Sequence, residues 1–192
     1  MIRLGILGST RGSNLIPIID AIQAGRLQAS VEVIISNKAT AGILEKAKAL
    51  GLEGIYRDPK VQPTREDFDK VISDLLHQYR VELVVLIGYM RILSPFFVRE
   101  WQNRVINVHP SLLPKFAGLM DLEVHQAVID TKEASSGCTV HMVTEALDQG
   151  PILVQASCPV FPEDTSETLK TRVQALEGEL LITAIQKIGT ES

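Results

Sequence analysis

The chain has 192 residues, 45% of them apolar and 22% charged, a balance that supports a sizeable globular core. A net charge of −4 without any run of Lys or Arg excludes the basic footprint of a nucleic-acid-binding protein. The two cysteines, Cys138 and Cys158, lack C-x-x-C spacing, which excludes a disulfide framework and points to a reducing compartment with both thiols buried as small hydrophobes.

The opening "MIRLGILGST" lacks the basic region, longer apolar core and cleavage site of a signal peptide. No run approaches the ~20 apolar residues of a membrane span. The expected location is cytoplasmic, with no membrane partner. "RLGILG" (3–8) predicts a buried strand, followed by a helix from about Ser13 to Ala24 with Leu15, Ile18, Ile19 and Ile22 on one face. "VEVIISN" (31–37) predicts a second strand, and "AGILEKAKAL" a helix closed by Gly51, a residue suited to a left-handed C-terminal cap. "EGIYR" is a short third strand. "TREDFDKVISDLLHQY" is amphipathic through Phe68, Val71, Ile72, Leu75 and Leu76.

"VELVVLIG" (81–88) is continuously apolar, as a parallel strand covered on both faces must be, and "RVINV" (104–108) is a further strand. A helix follows through "LEVHQAVIDT". Then "GCTVHMVTEAL" (137–147) and "ILVQASCPVF" (152–161) predict an antiparallel pair at the sheet edge. The last helix, from about Ser166 to Ile188, carries Leu169, Val173, Leu176, Leu180 and Ala184, with Asp164 and Glu167 as its capping pair. The expected architecture is α/β, a doubly wound, Rossmann-like, mostly parallel sheet with helices on both faces and an antiparallel C-terminal strand pair. With no repeat or linker, residues 1–192 are expected to form a single domain.

In such a sheet, ligands bind beyond the carboxyl ends of the strands where the strand order reverses, here between the first and fourth strands. "GSTRGSNL" places Gly8, Gly12, Ser13 and Asn14 at a strand-to-helix turn, a form suited either to an anion on backbone amides or to a plain capped turn. It is neither G-x-G-x-x-G nor a Walker motif. Asn107 and His109 are two apart in a strand and so share a face, where an amide donor and an imidazole can jointly address a carbonyl. A histidine that merely caps a turn fits the same spacing. Asp148 lies in the turn "ALDQGP", and Glu177 beside the apolar stripe of the last helix, where either a surface or a partly buried carboxylate fits. No G-x-S-x-G elbow is present, and His125 and His141 lack metal-ligand spacing, so no metal is expected.

Seven stretches together resemble one family: "GSTRGSNL", "SNK" (36–38), "GYMRILS" (88–94), "NVHPSLLPKF" (107–116), "GCTVH" (137–141), "LDQGPIL" (147–153) and "RVQALEGEL" (172–180). Their order is similar to that of the folate-dependent formyltransferases, and the "GSNL" loop and "VQ-x-x-E" helix resemble the phosphoribosylglycinamide formyltransferase branch. That resemblance implies transfer of a formyl group from the co-substrate 10-formyltetrahydrofolate to the amine of glycinamide ribonucleotide, in de novo purine biosynthesis. It implies Asn107, His109 and Asp148 as catalytic residues, and Gly12, Ser13, Asn14 and Glu177 as the ribonucleotide site. It also implies Arg65, Met90, Arg91, Ile92, Leu93 and Val143 as folate-binding, with residues 143–148 as a loop over the pterin. One departure stands out: Met120 occupies a place where many members carry a supporting histidine, in a segment longer than in some members, and His125 is similar to another histidine of that segment.

The alternative reading within enzymes is hydrolysis of formyltetrahydrofolate by the same Asn, His and Asp acting on water. That relative carries an N-terminal regulatory domain, not expected where the first strand begins at Arg3. The related tRNA formyltransferase adds a basic C-terminal domain, not expected in an acidic chain ending soon after its last helix. A catalytically silent folate or nucleotide sensor would not need Asn107, His109 and Asp148 together.

Overall fold

The computed structural model describes residues 1–191, which fall into two compact units, Met1–Asn107 and the chain from Val108 onward. The first unit alternates strand and helix: β1 (Ile2–Gly8), α1 (Leu15–Gln23), β2 (Ala29–Ser36), α2 (Gly42–Ala49), β3 (Gly54–Tyr56), α3 (Arg65–Gln78), β4 (Leu83–Ile87), α4 (Pro95–Glu100) and β5 (Val105–His109), whose last two residues open the second unit. Its strands lie in the order β3-β2-β1-β4-β5, and every neighbouring pair is parallel. β1 and β4 are therefore adjacent at the reversal point, as the sequence predicts.

The crossovers run outward in both directions from that point, the arrangement that places helices on both faces of a parallel sheet. Gly5 and Gly8, three apart in β1, face opposite ways. A Cβ on Gly5 would lie 2.5 Å from Leu76 of α3, and one on Gly8 would lie 2.7 Å from Ile43 of α2. β4 is buried at all five positions, which is why its sequence has no polar alternation. The N-terminus of α3 is capped by Thr64, whose Oγ1 accepts from the Asp67 amide at 3.1 Å, and Glu66 and Asp67 oppose the positive end of the helix dipole.

Two elements of this unit differ from expectation. Helix α1 begins at Leu15 and not at Ser13, because Gly12 adopts φ +63 and a turn from the Leu15 amide to the Gly12 carbonyl (3.1 Å) precedes the helix. Helix α4 was not anticipated. It is a six-residue helix whose signal is the Ser-Pro pair: Ser94 Oγ accepts from the Phe97 amide and Pro95 occupies the first turn. Trp101, fully buried at its end, donates from Nε1 to Ser73 of α3 at 2.9 Å.

The second unit contains α5 (Leu122–Asp130), β6 (Ser135–Met142), β7 (Ile152–Pro159) and α6 (Ser166–Glu191). β6 and β7 form the antiparallel pair, with Cys138 opposite Ala156 and Ser136 opposite Cys158. β6 ends at Met142, five residues short of the predicted Leu147. Gly150 returns so close to the ladder that a Cβ there would sit 1.8 Å from the Met142 carbonyl, so residues 143–151 leave the sheet as a folded-back loop. The capping of α6 also differs from expectation. Thr165 and Thr168 bond reciprocally, each hydroxyl accepting from the other's amide (3.3 and 3.0 Å). Asp164 turns instead to Arg172 in a bidentate pair at 2.6 and 2.8 Å, which holds its carboxyl below the usual carboxylate range. Both cysteines are free and buried. Among the described residues no helix is long and apolar enough to cross a membrane.

Two glycines with positive φ separate backbone strain from steric crowding. Gly25 (φ +70) has no neighbour within 4 Å, whereas a Cβ on Gly12 (φ +63) would lie 2.5 Å from Ile43. Gly25→Ala should cost about 1 kcal/mol of unfolding free energy, and Gly12→Ala roughly 1–3 kcal/mol more through overpacking. Urea denaturation of the two variants checks the difference, and equal losses would remove Ile43 from the account.

Candidate active site

In the first unit, the loops after β1, β2 and β4 are tied together by one buried hydroxyl. Ser9 Oγ donates to Asn37 Oδ1 at 2.5 Å and accepts from the Met90 amide at 2.9 Å, while the Ser9 amide donates to the Gly88 carbonyl at 3.0 Å. The predicted "GSNL" and "GYMRILS" stretches are thus brought to one edge of the sheet. Within the first loop Gly12 and Asn14 are buried and Ser13 is exposed. Ile43 of α2 packs against Gly12, and the Ile43 amide donates to the Thr10 carbonyl at 3.1 Å, so α2 holds the loop from behind.

After β4, Met90 and Ile92 present exposed side chains and Leu93 is buried. The Arg91 guanidinium lies 4.7 Å above the Phe68 ring, and its Nε is buried without a hydrogen-bond partner. Asp69, fully buried on α3, accepts from the Ser94 amide at 2.6 Å. Burial raises its pKa, and the charges of Arg91 and Arg65 oppose that rise. Burial and the Asp69 charge also push the Tyr89 hydroxyl upward. The structure therefore gathers Arg65 and Arg91 about one buried carboxyl. Sequence reasoning missed Asp69 and Ser9. For Asp69 the signal was an acidic residue inside the apolar stripe Phe68–Ile72–Leu76.

In the second unit the "HPSLLP" turn is anchored on β6 and β7. Thr139 Oγ1 donates to the Ser111 carbonyl (2.7 Å) and accepts from the Leu113 amide (3.1 Å), and Gln155 Nε2 donates to the Leu113 carbonyl (2.9 Å). His109, 4% exposed, then has both ring nitrogens against acceptors. Nε2 lies 3.2 Å from the Phe116 carbonyl and Nδ1 lies 3.4 Å from Asp148 Oδ2. Both contacts are donations only when the ring carries two protons. Asp148 reaches this position from a backbone at φ +54, and its Oδ2 also accepts from the Gly118 amide at 2.8 Å. Asn107 sits two residues before His109 in β5, on the same side of the strand.

Val143, half-buried, is the first residue after β6. Glu177 of α6 is 7% exposed, so the buried reading of this carboxylate holds. Burial, and after it the Glu177 charge, pushes the Cys138 thiol up to about 12. Met120 is 44% exposed and gives His109 no buried support, whereas His125 is 1% exposed. Burial, then the charges of Lys170 and His109, lower His125 to about 4, so it is the histidine of that segment that lies in the field of His109. Lys170 Nζ meets Asp121 Oδ1 at 2.5 Å just ahead of α5.

The depressed His125 pKa has a stability consequence. Below its ordinary pKa of 6.5 the unfolded chain binds a proton that the folded chain refuses until about pH 4. Stability present above that upper value should be lost as pH falls through the window, at up to about 1.4 kcal/mol per pH unit. His141 is lowered in the same direction, chiefly by burial, and adds to the loss. Urea denaturation from pH 4 to 7 should give a shallower slope for His125→Gln than for the unaltered chain. An unchanged slope would remove His125 from the account.

Residues 2–185 match the formyl transferase family model. Phosphoribosylglycinamide formyltransferase of Escherichia coli K12 is 39% identical over 172 residues, which cover 90% of this chain and 80% of that protein. The trifunctional purine biosynthetic protein adenosine-3 of Drosophila pseudoobscura pseudoobscura is 45% identical over 91% of this chain. The chain spans only 13 to 18% of the length of that protein and the similar trifunctional proteins of cattle, human and Drosophila melanogaster. Among solved structures, glycinamide ribonucleotide transformylase 1 of Symbiobacterium toebii superposes with a TM-score of 0.92 at 41% identity, over 96% of this chain and 86% of its own. The parallel α/β unit, the antiparallel pair and the family match lead to one conclusion: the chain belongs to the formyl transferase family.

Proposed function

We propose that this chain transfers the formyl group of 10-formyltetrahydrofolate to the amine of glycinamide ribonucleotide, a step of purine biosynthesis. The observation that carries the reading is the buried His109–Asp148 pair at 3.4 Å, with Asn107 two residues upstream in β5. The names of relatives that match most of this chain support the same choice of substrate.

The substrate amine attacks the formyl carbon, and the carbonyl electron pair moves to oxygen. Asn107 donates its amide hydrogens to that oxyanion, and the doubly protonated ring of His109 adds positive charge beside it. The tetrahedral intermediate collapses as the bond to the folate nitrogen breaks. The proton released by the ammonium passes to that nitrogen, with Asp148 and a water as the relay. No protein nucleophile enters this sequence of steps.

Gly12, Ser13 and Asn14 are assigned to the ribonucleotide phosphate and Glu177 to its ribose hydroxyls. Met90, Arg91, Ile92, Leu93 and Val143 are assigned to the folate. The partly unsatisfied Arg91 guanidinium and the exposed Arg65 are suited to its carboxylate tail.

Incubation with both substrates should give folate deformylation that requires the ribonucleotide. Equal turnover without it would support hydrolysis instead, and tight binding without turnover would support a sensor. His109→Ala should lower kcat by roughly two or more orders of magnitude, the scale of a lost acid–base group. A rate near that of the unaltered chain would sink the assigned role.

A further inference from the structure

Ser9 is 3% exposed and stands where two loops of the first unit diverge. The β1–β4 ladder ends at the Gly8–Ile87 pair. Beyond it the two chains part, one toward Gly12, Ser13 and Asn14, the other toward Met90 and Leu93. Two bonds from Ser9 hold them at that point. Its amide donates to the Gly88 carbonyl at 3.0 Å, and its Oγ accepts from the Met90 amide at 2.9 Å. The hydroxyl has a single proton, and Asn37 Oδ1 takes it at 2.5 Å. That bond fixes the hydroxyl rotor and leaves a lone pair for Met90. The loops also interlock, since a Cβ on Gly88 (φ +56) would lie 2.3 Å from Thr10 Oγ1.

We propose that Ser9 is a positioning residue for formyl transfer, which acts by fixing the ribonucleotide loop against the folate loop. The proposal rests on the assignment above of Gly12, Ser13 and Asn14 to one substrate and of Met90, Arg91, Ile92 and Leu93 to the other. Transfer between two bound reactants depends on their mutual placement, and a displacement of about 1 Å can cost ~100-fold in rate. Each loop carries its own binding groups. Loosening the hydroxyl bridge therefore leaves each substrate its site and alters where the two sit relative to each other. Ser9 governs turnover more than affinity.

A comparison of affinity with turnover tests this. In Ser9→Ala, kcat should fall about 10- to 100-fold, while Kd for glycinamide ribonucleotide alone and for tetrahydrofolate alone stays within about twofold by calorimetry. Asn37→Ala keeps the Met90 bond but frees the hydroxyl to rotate, and should lower kcat about two- to tenfold, the worth of one hydrogen bond. In a Ser9→Ala background the same change should cost less than about twofold, because the bond it removes is already gone. Three results would overturn the proposal: a kcat near that of the unaltered chain, a weakening of either ligand alone that matches the fall in turnover, or a full multiplicative loss in the double variant. Should Ser9→Ala fail to fold, Asn37→Ala carries the same comparison. A ligand-free readout separates the proposal from the choice of reaction. In 15N-labelled protein, Ser9→Ala, or Asn37→Ala in its place, should shift the Met90 amide resonance and speed its exchange with solvent. No such change refutes the bridge even if the enzyme turns over. A change in a chain that transfers no formyl group refutes the reaction and leaves the bridge standing.

Discussion

A carboxylate withdrawn from water needs a donor, and Asp148 Oδ2 finds one in the Gly118 amide with His109 Nδ1 3.4 Å away. Much of the second unit serves that requirement. The early end of β6 at Met142 frees the loop that carries Asp148, and Gly150 allows that loop to return close to the strand. The turn after His109 is pinned to β6 and β7 by Thr139 and Gln155, so the imidazole and the carboxylate are referenced to the same two strands. Precision at a 3.4 Å contact comes from rigid ladder elements here, although both groups lie at loop ends.

The first unit solves a different problem, the gathering of backbone amides and cationic side chains at a sheet edge. Adjacency of β1 and β4 sets the edge, and Ser9 uses its single donor and an acceptor to bind the neighbouring loops. Asp69 balances two arginines from within the core, at the cost of burying a carboxyl whose pKa rises as a result. Arg91 stacked on Phe68 keeps a polar group in reserve, which fits a residue awaiting an anionic partner.

Period and punctuation made most of the fold legible. The continuous apolar run of β4, the Gly51 terminus and the parallel alternation all read directly from residue order. What escaped depended on competition among nearby groups. Asp164 and Thr165 could each cap α6, and the choice followed from Arg172 two turns further on, which drew Asp164 away. β6 looked longer because "VTEAL" continues without a glycine or proline after the ladder has ended at Met142. Of the site, Asn107 and His109 were legible as a same-face pair. The reach of Asp148 to His109 was not, since it depends on a left-handed residue inside a turn that spacing describes only as a turn.

The closeness of β6 and β7 has a consequence for how this protein can vary. A side chain at Gly137 would place its Cβ 2.0 Å from the Ala156 carbonyl, and at Gly150 1.8 Å from that of Met142. Backbone atoms cannot step aside as a flexible side chain can, so neither position has a neutral neighbour in sequence space. In a saturation-mutagenesis map both glycines would look as indispensable as Asp148, though neither has a side chain to offer a substrate. The spacing of the ladder is thereby locked against gradual drift.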